Sequence, residues 1–135
     1  MQSLEPKHGW LYTDFANDDF TVAYLKAAVA SYPFNPTAFD YADLAMPAIE
    51  QMLRDCAKFK TDNLGLLTIN GVCRRVSWSR AGEEFWTVRN DPKKTFSLRF
   101  WQVPKAPLLT KAALKFGRCR LFVGREGLIY IDQKA

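Results

Sequence analysis

Residues Leu64–Trp101 read LGLLTINGVCRRVSWSRAGEEFWTVRNDPKKTFSLRFW. Short apolar or alternating runs in this stretch are separated by Asn70-Gly71, Ala81-Gly82 and Asn90-Asp91-Pro92. Asn-Gly between alternating runs favours a tight hairpin, because both residues tolerate the positive φ of a type I′ turn. The spacing predicts antiparallel strands at about Leu64–Ile69, Val72–Ser79, Glu84–Arg89 and Thr95–Val103.

On the N-terminal side, two segments carry helical signals. Asp18–Tyr32 is apolar nearly all round, with Asn17 as a candidate N-cap and Asp18 and Asp19 in the first turn, where negative charge complements the helix dipole. Pro33 ends it. From Leu44 to Phe59, Ala45, Ile49, Met52, Leu53, Cys56 and Phe59 mark one face at 3.6-residue spacing. Asp43 is its N-cap candidate, and Pro47 falls in the first turn, where a missing N–H costs little. On the C-terminal side, Pro107–Phe116 reads as a short helix closed by Gly117. Arg118–Val123 and Leu128–Asp132 then form a second hairpin around Gly124-Arg125-Glu126-Gly127. Residues 1–16 look irregular, with a short edge strand at Leu11-Tyr12-Thr13. The expected architecture is one α+β domain over residues 1–135. Two N-terminal helices pack on one face of a five- to six-stranded antiparallel sheet, with a short helix before the last hairpin.

Composition narrows the function classes. With 48% apolar and 14% aromatic residues, the chain of 135 residues can build a core of its own. No apolar run approaches the ~20 residues of a bilayer-spanning helix, and the N-terminus lacks a secretory pattern. Cys56, Cys73 and Cys119 are odd in number and fit neither a zinc pattern nor a disulfide framework. A cytoplasmic location, no cofactor, no metal and no membrane partner are the expectations. The net charge of +5 is unevenly spread. Residues 1–62 carry five Lys/Arg against nine Asp/Glu, and residues 63–135 carry fourteen against five. Such a split fits an acidic layer on a basic one, or a basic face meant for a polyanion.

Alternation divides the strands into two faces. Val76, Trp78, Trp86, Val88, Phe96, Leu98, Phe100, Cys119, Leu121, Val123, Ile129 and Ile131 form the expected core. The opposite set interleaves Arg75, Arg89, Arg99, Arg118 and Arg120 with Phe85, Trp101 and Phe122, which suits single-stranded nucleic acid. Guanidinium groups pair with phosphate and rings stack bases for ~1–3 kcal/mol each. Lys93, Lys94, Lys105, Lys111, Lys115 and Arg125 extend the positive field. An exposed aromatic sheet face equally suits a homodimer seam or packing under the short helix. Everything depends on register, since a one-residue slip exchanges the faces. A rival site is acidic: Asp14, Asp18, Asp19, Asp40, Asp43 and Asp62 near Phe15, Phe20, Phe39 and Tyr41 suit a basic protein partner.

Catalytic signals are sparse. The P-loop, dinucleotide, H-E-x-x-H and G-x-S-x-G patterns are absent. The only histidine, His8, has no sequence partner. Glu83-Glu84, with Asp91 a candidate neighbour, is the best carboxylate cluster for acid–base work, and a turn-adjacent pair of this kind is ordinarily a solvated surface feature. Cys73 beside Arg75 is a candidate low-pKa thiol. The expected function is therefore a non-enzymatic intracellular protein binding single-stranded DNA or RNA through its basic aromatic face. A protein-binding module (an inhibitor, adaptor or homodimeric accessory factor) ranks second, and a small nuclease third.

Overall fold

The computed structural model describes residues 18–31, 43–67, 75–124 and 126–132, with side-chain surroundings from residue 78 onward in the third stretch. It contains α1 (Asp19–Ser31), α2 (Met46–Asp62), α3 (Leu64–Leu67), α4 (Arg75–Asn90), α5 (Lys105–Leu114), β1 (Leu121–Val123) and β2 (Ile129–Ile131). The expected five- to six-stranded sheet is not there. Among the described residues the fold is mainly helical, and its sheet has two strands. The irregular segment 1–16, the turn at Asn70-Gly71, His8 and Cys73 lie outside the described residues.

The largest correction is α4. Its sequence, RVSWSRAGEEFWTVRN, suggests two strands around a turn at Ala81-Gly82, yet it forms one helix. Alternation and helical spacing coincide here: Ala81, Phe85, Val88 and Arg89 recur at three- and four-residue intervals and are buried. Good helix formers (Arg80, Ala81, Glu83, Glu84) supply the rest, and Arg80 Nε donates to Glu84 Oε2 at 2.8 Å one turn on. Gly82 serves packing rather than turning. A Cβ there would stand 2.0 Å from the carbonyl oxygen of Phe20, so α1 and α4 touch backbone to backbone.

The terminal elements match expectation more closely. Asp18 caps α1, accepting from Thr21 N at 3.2 Å and from Thr21 Oγ1 at 2.7 Å. Phe20, Thr21, Tyr24, Leu25, Ala28 and Val29 form its buried face. In α2 the buried residues are Ala48, Ile49, Met52, Cys56 and Phe59. Its N-cap is Ala45 rather than Asp43, because Leu44 bridges Ile129 in parallel and Ala45 N donates to Ile129 O at 2.7 Å. That pairing holds residues 44–45 extended and delays the helix. Gly117 closes α5 with φ +75°, donating to Leu114 O at 3.1 Å. The hairpin pairs Leu121 with Ile131, Phe122 with Tyr130 and Val123 with Ile129. Gly127, at φ +80°, makes its turn.

One buried cluster joins these elements. At its centre the rings of Phe59 and Phe85 stack at 4.2 Å, with Phe20 stacked on Phe59, Tyr24 tilted against Phe85 and Phe116 edge-on to both. The predicted strand Thr95–Val103 is instead a run of turns that folds Phe96 and Trp101 into this core. Phe96 N donates to Thr110 Oγ1 at 2.9 Å, and Ser97 N to Glu84 Oε1 at 2.9 Å. Among the described residues no helix is long and apolar enough to cross a membrane.

Candidate polyanion-binding surface

The residues assigned to a single sheet face separate into buried and exposed groups. Phe85 lies in the aromatic stack, and Trp101 is fully buried, its Nε1 donating to Leu67 O at 3.2 Å. Neither ring is open to a base. Arg75 begins α4, and its side chain lies outside the described set. Arg89 is only 5% exposed. Its Nη1 donates to Tyr24 Oη and Asp55 Oδ2, both at 2.9 Å, its Nε to Gly117 O at 2.8 Å and its Nη2 to Phe116 O at 3.1 Å. Burial opposes its charge, but the Tyr24 oxygen and Asp55 more than offset this and hold the guanidinium protonated. It is a core hub with every arm committed.

Arg99, Arg118, Arg120 and Phe122 are exposed. The last three belong to a segment where the expected alternation holds from Arg118 to Phe122, although Val123, expected in the core, is exposed. Cys119 and Leu121 turn inward, so Arg118, Arg120 and Phe122 turn out. The ring of Phe122 stacks on that of Tyr130 across the hairpin at 5.7 Å. Two anchors set this presentation. Arg89 grips the carbonyls of residues 116 and 117, and Asn90 Oδ1 accepts from Cys119 N at 2.7 Å. The end of α4 thus fastens the chain immediately before and between the two arginines.

Charge pairing divides the molecule as well. Lys58–Asp62, Lys60–Asp18, Arg80–Glu84 and Arg89–Asp55 are salt bridges within or between the helices. By contrast, Lys93, Lys94, Arg99, Lys111, Lys115, Arg118 and Arg120 are exposed, and none makes a salt bridge among the described residues. Residues 91–123 contain a single carboxylate, Asp91. Screening weakens isolated surface charges, but a cluster of one sign raises a field that attracts polyanions.

An open groove of about 510 Å³ runs beside Arg118 and Arg120. Ser31 at the end of α1 and Trp86, Thr87 and Asn90 on α4 form its other side, and among the described residues no carboxylate lines it. The sequence does not announce these partners, which come from positions 28 or more residues away; only the Arg-Cys-Arg alternation points there.

Chemistry finds less support. Glu84 is occupied by Arg80 and Ser97 N, so the Glu83-Glu84 pair is split between a structural role and a solvated one. Burial raises the Cys56 thiol well above its ordinary range and pushes Cys119 up to about 11, leaving both protonated and unreactive. Of the acidic rival cluster, Asp18 caps α1 and pairs with Lys60, and Asp62 pairs with Lys58. No group of three metal-ligating side chains occurs among the described residues. No protein-family model matches the chain, and the comparisons with curated proteins and with solved structures found no match.

Proposed function

We propose that this protein binds single-stranded nucleic acid through the basic surface carried by residues 93–120 and the adjoining hairpin. The observation that supports the reading is the set of seven exposed, unpaired Lys and Arg side chains in that segment. Unpaired cations of one sign lose little on meeting phosphate, and release of condensed counterions drives the association. Beside them Phe122, 44% exposed on its Tyr130 partner, offers a ring to a base. That accessible ring favours a single strand over a closed duplex.

The test is retention of a short single-stranded oligonucleotide over a range of salt. Each neutralised phosphate contributes a log–log slope of about −0.7, so engagement of all seven cations gives about −5. Phe122→Ala is expected to weaken binding by ~1–3 kcal/mol without changing that slope. Absence of retention at low salt overturns the reading. A protein partner is the second reading, favoured by Leu98, Val103 and Leu108, exposed by 59%, 72% and 47% within the same basic segment. It predicts an association that tolerates salt and fails in Leu108→Asp.

A further inference from the structure

We infer that the groove beside Arg118 and Arg120 is a phosphomonoester site, which seats the terminal phosphate of a bound strand or the phosphate of a free nucleotide. The inference deepens the nucleic-acid reading and rests on it for the first of these two sources.

The argument begins with what each lining group has left to give. Ser31 Oγ donates to Ala28 O at 2.9 Å and accepts from Trp86 Nε1 at 2.8 Å. Thr87 Oγ1 donates to Glu83 O at 3.0 Å. Asn90 is used at both ends, donating to Trp86 O and accepting from Cys119 N. These groups form a mostly apolar wall whose polar atoms are largely committed to one another and to the backbone. The two guanidinium groups are not: among the described residues neither Arg118 nor Arg120 has a salt-bridge or side-chain hydrogen-bond partner. The groove therefore presents two uncompensated positive charges and a fork of donors on each, against a wall that competes for neither.

Charge stoichiometry selects the ligand. A phosphomonoester carries about −1.5 to −2 at neutral pH, matching two guanidinium groups, whereas an internal phosphodiester carries one negative charge. Arginine meets phosphate oxygens in a bidentate fork, and two such forks on one group fit a terminal phosphate with its three free oxygens. The volume, about 510 Å³, lies within the ~300–1,000 Å³ of small-molecule sites and leaves room beyond the phosphate for a sugar and base. The backbone holding the arginines is pinned by Arg89 and Asn90, so little ordering remains to be done when the ligand arrives.

The experiment compares one oligonucleotide bearing a 5′-phosphate, a 3′-phosphate or hydroxyls at both ends. A nucleoside monophosphate is titrated separately while the Trp86 indole N–H is followed by NMR, since that donor sits in the groove wall. Expected are about tenfold tighter binding of one phosphorylated end, loss of that preference in Arg118→Gln with Arg120→Gln, and a Trp86 shift with the mononucleotide. Lys93→Gln with Lys94→Gln is expected to weaken all three oligonucleotides equally. Equal affinity for every end, combined with an unmoved Trp86 resonance, overturns the site. An end preference that survives the double arginine variant overturns it too. A Trp86 shift with mononucleotide in a protein that retains no strand keeps the groove as a free-nucleotide site and sinks the nucleic-acid reading instead.

Discussion

Arg89 and Arg118 are 29 positions apart and chemically identical, yet they stand for two regions built on opposite rules. In the bundle of α1, α2 and α4, most cations are paired: Arg89 is buried with four acceptors, Lys60 crosses between elements to Asp18, and Lys58 and Arg80 each meet a carboxylate one turn on, which leaves Lys26 and Arg54 without a salt bridge among the described residues. In residues 91–123 cations are left over, with Asp91 the single carboxylate within the segment and Asp132 facing Arg120 across the hairpin without a salt bridge to it. The lesson is that net charge says little until its pairing is known. A buried paired guanidinium belongs to stability, and an exposed unpaired one is available for a partner.

Mutation of the two arginines is the sharpest way to break the contrast. Arg89→Ala strands the Asp55 carboxylate, the Tyr24 hydroxyl and two carbonyls, and is expected to cost about 3–5 kcal/mol by urea denaturation. Arg118→Gln is expected to stay within about 0.5 kcal/mol. Equal losses in the two variants would erase the distinction. Next in size is Gly82→Ala. Its methyl group would meet the Phe20 carbonyl at 2.0 Å, a backbone atom that no rotamer change can move aside. A loss of about 3 kcal/mol is expected, in the upper range for overpacking, and an unchanged midpoint would show that the helices do not approach as closely as described.

A smaller effect concerns pH. Burial pulls the Asp18 carboxyl upward, but hydrogen bonds from Lys60 and Thr21 and the Lys60 charge leave it below the ordinary aspartate value of 3.8. A depressed carboxyl contributes stability that is complete above its unfolded pKa and disappears as pH falls through the lower folded value. Unfolding at pH 6 and at pH 2–3 is therefore expected to differ more in the native protein than in Asp18→Asn, by less than about 1 kcal/mol for this partly exposed pair. Smallest of all, Arg99→Gln is expected to leave the midpoint unmoved while lowering oligonucleotide retention, which separates the exposed set from the core by its consequences alone.

Legibility followed the range of the forces involved. The existence of α1, the buried face of α2, the closing Gly117 and the last hairpin are readable because neighbours within a few positions decide them. The centre is not. In RVSWSRAGEEFWTVRN, Val76, Trp78, Trp86 and Val88 satisfy a period of two, while Ala81, Phe85 and Val88 satisfy 3.6. What separates the two is Phe20, 62 positions from Gly82, whose backbone demands the absence of a side chain there. Taken as a turn, Gly82 implies two strands that residues 75–90 do not form and puts Phe85 and Arg89 on a surface, and the strand expected at Thr95–Val103 does the same for Trp101. The basic character of residues 91–123 was visible at once, since counting requires no geometry. The groove was not, because its opposite wall is contributed by α1 and α4.

The close approach at Gly82 also bears on how the molecule can move. Interfaces made of interdigitating side chains can slip by exchanging rotamers, but two main chains in contact have no such gear to change. Helices α1 and α4 must shift together as one beam, carrying Trp86, Asn90 and the grip of Arg89 with them. The groove wall formed by Ser31 on α1 and by Trp86, Thr87 and Asn90 on α4 therefore moves as one piece or not at all.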